Sequence, residues 1–149
     1  MPAILRTTTT DPAFRALVRD LDADLNARYG EVQALYDAHN HVEAITTAVL
    51  ALDGERPVGC GCFKPHDSQA VELKRMFVAA EARGQGVGSQ LVGALEAWAR
   101  ELGYAVVVLE TGDRQFEAIA MYAKLGYART APFGPYAELP ASVCMRKAL

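Results

Sequence analysis

The spacing of apolar residues divides the chain into short strands separated by a few helices. Residues 3–8 read as a first strand, with threonines that favour β structure. Asp11-Pro12 is a helix start, Asp as N-cap and Pro at the first helical position. Phe14, Leu17, Val18, Leu21 and Leu25 recur behind it at helical spacing, and Gly30 ends the run. Residues 32–43 are less regular and read as a short helix with a loop. Residues 45–52, 57–63 and 71–78 are strands; Asp53-Gly54 turns the first pair and Lys64-Pro65-His66-Asp67 the second, giving an antiparallel meander. Val87, Leu91, Leu95, Trp98 and Leu102 form a second helical stripe, capped by Gly103. The valine-rich run 105–110 reads as a strand buried on both faces. A helix over 115–125 closed by Gly126, a short strand over 127–130, a loop over 132–136 and a last strand over 142–147 complete the order.

That order, β-α-(α)-β-β-β-α-β-α-β-β, predicts an α/β (α+β) fold with an antiparallel first half, a parallel middle and one mixed sheet flanked by helices. The junction between the 71–78 strand and the second stripe carries its own chemistry. It reads Arg83, Gly84, Gln85, Gly86, Val87, Gly88, Ser89. The first N–H groups of a helix have no partner within it, and the aligned peptide dipoles place about half a positive charge there. Glycines let a bulky anion approach those groups, and Arg83 offers a charge-assisted hydrogen bond. A P-loop needs a Gly-Lys pair, which the chain lacks. A dinucleotide fingerprint needs a third glycine where Ser89 stands and a strand directly before the first, although Glu110 falls about where its acidic ribose ligand would.

The stretch resembles the acetyl-CoA-binding motif of the GNAT superfamily of N-acetyltransferases, Gln/Arg-x-x-Gly-x-Gly/Ala, with Arg83, Gly86 and Gly88 in place. A second block, from Gln115 through Ala118 and Tyr122 to Gly126-Tyr127, resembles the family's Asn-x-x-Ala-x-x-Leu-Tyr-x-x-x-Gly-Phe pattern, with Gln115 replacing the usual Asn. The resemblance covers nearly the whole chain, and the C-terminal run from Pro132 to Leu149 is similar to a subset of bacterial small-molecule members. It implies a sheet of about seven strands that splays between the fourth and fifth, here 71–78 and 105–110. It implies that backbone groups of Met76, Phe77 and Val78 pair with the pantetheine arm of acetyl-CoA. The N–H groups of 84–89 would hold its pyrophosphate. Gln115 would touch the cofactor, and Tyr122 would hydrogen-bond or protonate the departing sulfur. Asn40, Phe133 and Tyr136 would border the acceptor.

Composition narrows the partners. The 149 residues are one domain's worth, with 51% hydrophobic residues for a core. A net charge of −3 argues against nucleic acid. No apolar run of membrane-spanning length occurs and no signal sequence is expected, which points to the cytoplasm. Three cysteines give no disulfide framework, and Cys60, Cys62 and Cys144 are expected as buried thiols with no metal. His39 and His41 are expected in a surface loop. Edge strands make a homodimer plausible.

Acyl transfer to an amine sets two proton tasks. Freeing the lone pair of an amine of pKa about 10.4 costs roughly 4.6 kcal/mol at pH 7, against roughly 2 kcal/mol for the leaving thiol. A general base therefore matters more than an acid. Glu72 is the first candidate, because Glu72, Lys74 and Arg75 interrupt a strand otherwise fit for burial. Alternation puts Glu72 and Lys74 on the face of Met76, with Arg75 opposite. Lys74 and Arg75 are candidates for holding a carboxylate on the acceptor. The expected activity is acetyl transfer from acetyl-CoA to a primary amine of a small molecule by direct attack. The alternatives are an acyl-CoA-binding sensor without turnover and a nucleotide-cofactor oxidoreductase.

Overall fold

The structure, a computed structural model, describes residues 2–30 and 44–149. The expected short helix and loop over 32–43, with His39, Asn40 and His41, lie outside the described residues. Seven strands form one sheet in the order β1-β2-β3-β4-β5-β7-β6. They are β1 (Ala3–Thr7), β2 (Ala48–Asp53), β3 (Arg56–Pro65), β4 (Ala70–Val78), β5 (Val106–Gly112), β6 (Ala128–Arg129) and β7 (Ser142–Ala148). The β4–β5 pair is parallel and the other pairs are antiparallel. The expected strand at 45–52 starts late because Ile45 is committed elsewhere: its N–H donates to Thr9 Oγ1 at 2.8 Å and its carbonyl accepts from the Thr9 N–H at 2.9 Å.

Helix α1 (Pro12–Tyr29) begins as the sequence predicts, with Asp11 Oδ1 accepting from the Ala13 N–H at 2.8 Å. It buries Phe14, Leu17, Leu21, Leu25 and Tyr29 on one face of the sheet, against Leu50, Cys60, Cys62 and Phe77. Helices α2 (Val87–Glu101) and α3 (Phe116–Lys124) cover the other face, with Leu91, Leu95 and Tyr122 packed among Phe63, Val71, Leu73, Val107 and Leu109. The loop expected over 132–136 contains a 3-10 turn, Gly134–Glu138. No helix among the described residues is long and apolar enough to cross a membrane.

Two irregularities of β4 shape everything that follows. The β4–β5 ladder runs only from Ala70↔Val106 to Leu73↔Leu109, after which the strands part. At the same level a bulge interrupts the β3–β4 ladder between Cys62↔Lys74 and Cys60↔Phe77. Arg75 sits in it with φ of 58°, the one non-glycine residue in the left-handed region among those described. The extra residue reverses the alternation. Glu72 and Lys74 face the α1 side, but Met76 packs into the core on the α2 side. The expectation that Met76 shares the face of Glu72 and Lys74 is therefore corrected. So is the placing of Arg75 opposite them, since its guanidinium reaches Asp22 of α1 at 2.7 Å. The carbonyls the bulge strands are taken up by thiols: Cys62 donates to Lys74 O at 3.3 Å and Cys60 to Arg75 O at 3.4 Å. Burial raises both thiol pKa values, that of Cys62 to about 12. No cluster that could hold a metal ion occurs among the described residues.

Candidate active site

The glycine stretch builds a bare helix end. Gly84 and Gly86 take φ of 76° and 82°, and Gly86 is the N-cap of α2 with no side chain capping it. Hydrogen bonding resumes only with Gln90 N–H to Gly86 O at 3.1 Å. The N–H groups of Gly84, Gln85, Gly86, Val87, Gly88 and Ser89 therefore have no acceptor among the described residues. Gly88 is small for a different reason: a Cβ there would come within 2.7 Å of Met121 Sδ, so its absence lets α3 close on α2.

A cavity of about 470 Å³ opens in front of this end. Met76, Phe77 and Val78 form its β4 wall, and Gln115, Met121 and Tyr122 its α3 wall. Gly84, Gly86, Val87, Gly88 and Ser89 line it as well, while the Gln85 side chain is exposed outside it. Arg83 stands at the mouth, folded back so that Nε donates to Val78 O at 2.9 Å and the guanidinium lies 5.5 Å from the Phe77 ring centroid. Gln115 uses its side-chain oxygen internally, accepting from Gly112 N–H at 2.8 Å and Thr111 Oγ1 at 3.0 Å. That fixes the β5–α3 turn and leaves its amide hydrogens for a ligand. The chain thus offers a bundle of unpaired donors, room in front of them and no blocking side chain, which fits a diphosphate with a slender arm.

A second cavity, of about 100 Å³, adjoins the first, sharing Leu21, Met76, Gln115, Ala118 and Tyr122. Its floor is where β4 and β5 part. Glu72, Lys74 and Arg75 come from β4, and Glu110 and Thr111 from β5. Tyr136, on the Gly134–Glu138 turn, also lines it and ties two of these charges together. Its hydroxyl donates to Glu72 Oε2 at 2.8 Å and accepts from Lys74 Nζ at 3.1 Å, with Lys74 Nζ 3.6 Å from Glu72 Oε2. Phe133 is not at the cavity but packs edge-on against the Tyr136 ring. Burial lowers the Lys74 pKa, opposed by the Glu72 charge, and burial raises that of Tyr136.

Glu110 is within electrostatic reach of that cluster: the Lys74 charge favours its ionised form and the Glu72 charge opposes it. Its carboxyl has no hydrogen-bond or ion-pair partner among the described residues, and burial raises its pKa to about 7. By its sequence Glu110 suggests only a ribose ligand. The available signal was a lone carboxylate closing an apolar run at the strand that must part from its neighbour. Tyr122 lies between the cavities, its hydroxyl unbonded among the described residues and its pKa raised by burial.

A mixed sheet parted beside a bare helix end is the architecture of the coenzyme A-dependent acyltransferase class. The chain belongs to the acetyltransferase (GNAT) family, whose model matches residues 11–127. It is 35% identical over 148 residues to the IAA acetyltransferase of Azospirillum brasilense, spanning 98% of this chain and 97% of that one. Among solved structures it is similar to a candidate acyl-CoA N-acyltransferase from Klebsiella pneumoniae, with a TM-score of 0.84, 32% identity, and coverage of 100% of this chain and 98% of that one. A GNAT acetyltransferase from Elizabethkingia anophelis with acetyl-CoA bound shares the fold, with a TM-score of 0.70, 20% identity and coverage of 99% and 98%.

Proposed function

We propose that the protein transfers the acetyl group of acetyl-CoA to the primary amine of a small molecule by direct attack. The observation that carries this reading is the run of unpaired N–H groups from Gly84 to Ser89 facing one cavity while a second, carboxylate-lined cavity adjoins it. Acetyl-CoA, when bound, supplies a thioester: the amine nitrogen bonds to its carbonyl carbon, the carbon–sulfur bond breaks, and the sulfur leaves with the electron pair. The amides of residues 84–89 and Arg83 bind the diphosphate. Beyond Leu73 the β4 edge lacks a β5 partner, so its backbone groups at Met76, Phe77 and Val78 are placed to hold the arm and polarise the carbonyl. Gln115 donates from its amide nitrogen.

The base role expected of Glu72 passes to Glu110 in this reading. Glu72 is already occupied by Tyr136 and Lys74, whereas Glu110 has no hydrogen-bond or ion-pair partner among the described residues and burial raises its pKa to about 7, which suits a base at neutral pH. Glu110 accepts the ammonium proton, and Glu72 positions Tyr136 and Lys74 at the cavity floor. Tyr122, with its raised pKa, stays protonated and donates to the departing sulfur. The test is release of coenzyme A thiol across a panel of small amines, with products read by mass spectrometry. Binding of acetyl-CoA with no amine acetylated would make the protein a sensor and overturn the reading.

A further inference from the structure

On the acetyltransferase reading above, we infer that the small cavity takes a primary amine with an apolar body and no carboxylate, held as its ammonium against Glu110. The sequence offers two cations to an acidic acceptor, Lys74 and Arg75. Both are matched by carboxylates of the chain itself. Lys74 meets both Glu72 and the Tyr136 hydroxyl, and Arg75 pairs with Asp22 at 2.7 Å. An acceptor carboxylate would have to displace one of these and would enter a space already holding Glu72 and Glu110, where like charges repel. Arg75 keeps one buried donor, Nε, without a hydrogen-bond partner, but its charge is balanced by Asp22.

Glu110 is the opposite case. It faces the cavity with no hydrogen bond or ion pair among the described residues, and the Lys74 charge that acts on it is already shared with Glu72, so the unmet charge there is negative and calls for a cation. Thr111 and Gln115 add polar groups, and four leucines supply an apolar part of the wall. Leu21 and Leu25 come from α1, Leu73 and Leu109 from the two parting strands. An ammonium at Glu110 with an alkyl or aryl group against the leucines satisfies both demands.

Matched amines that differ only in an α-carboxylate test this: butylamine against norvaline, and phenethylamine against phenylalanine. Binding is measured by calorimetry with coenzyme A present, and turnover by thiol release with acetyl-CoA. The carboxylate-free member of each pair should bind and react better by about tenfold or more, since like-charge contact costs at least the ~1.4 kcal/mol that tenfold represents. Asp22→Asn, at a half-buried position on α1, unbalances Arg75 and should narrow the gap several-fold. Equal or better binding of norvaline and phenylalanine, no binding of any of the four, or a gap that Asp22→Asn leaves unmoved overturns the inference. Preferential binding of the carboxylate-free amines without thiol release would instead keep the cavity assignment and overturn the acetyltransferase reading.

Discussion

Replacing Glu110 by Gln separates catalysis from stability, because one physical cause drives both. Burial lifts the carboxyl from an ordinary 4.5 to about 7. As a base it must be ionised, so wild-type kcat/KM should fall about tenfold per pH unit below 7 and level off above it. An ordinary glutamate would already be ionised and would show no such limb between pH 6 and 8. The folded state also favours the protonated carboxyl more than the unfolded chain does. Its contribution to stability is complete below about pH 4.5 and is lost as pH rises through about 7. A rise of this size is worth roughly 3 kcal/mol, and about 2 kcal/mol once solvent reaching a half-buried group is allowed for. Glu110→Gln should therefore cost about 10²- to 10⁴-fold in kcat/KM and lose the acid limb. It should also unfold at higher temperature than wild type at pH 8, by roughly 4–8 °C, with little difference at pH 4. Calorimetric unfolding at the two pH values and a pH–rate profile read both effects. A variant that keeps the acid limb and shows no stabilisation at pH 8 would refute the assignment of both the pKa and the base.

Other substitutions test the supports of the site. Gly86→Ala meets no neighbour within 4 Å but forces alanine to φ of 82°, so it should cost about 1–2 kcal/mol in thermal unfolding and weaken acetyl-CoA binding. Gly112→Ala drives a methyl into the Tyr29 hydroxyl, itself held by the Arg114 N–H at 2.8 Å, and should cost about 1–3 kcal/mol in denaturant unfolding. Tyr136→Phe removes the hydroxyl between Glu72 and Lys74 and should destabilise by about 2 kcal/mol, read by the same unfolding. The thiols of Cys60 and Cys62, buried and with raised pKa values, should resist iodoacetamide at pH 8 until denaturant unfolds the chain; rapid alkylation of the native protein would contradict their placement.

Much of the fold was legible because period and punctuation agree. Asp11-Pro12, Asp53-Gly54, the stripe from Val87 and the glycine loop each name their structure locally, and the element order follows. The loop was also the part of the site most readable from sequence, since its chemistry belongs to the backbone. The bulge at Arg75 was not legible. Nothing in Glu-Leu-Lys-Arg-Met-Phe signals an extra residue, and one residue suffices to send Met76 to the far face and Arg75 to Asp22. The smaller cavity was half-read for a related reason. Charges at 72, 74 and 75 stand out on a buried strand, but which of them are already paired depends on Tyr136 and Asp22, 64 residues from Glu72 and 53 from Arg75 along the chain. Glu110 reads as the end of an apolar strand; the β4–β5 ladder stops just before it, and among the described residues its carboxyl has no hydrogen-bond or ion-pair partner.

The central claim is that the unpaired amides of residues 84–89 bind the diphosphate of coenzyme A. Titrating ¹⁵N-labelled protein with acetyl-CoA, and separately with acetyl-pantetheine, which lacks the diphosphate, tests it most directly. The account predicts that the Gly84, Gly86 and Gly88 amide signals move strongly with acetyl-CoA and scarcely with acetyl-pantetheine, which binds far more weakly. Saturable acetyl-CoA binding that leaves those three signals in place would contradict it.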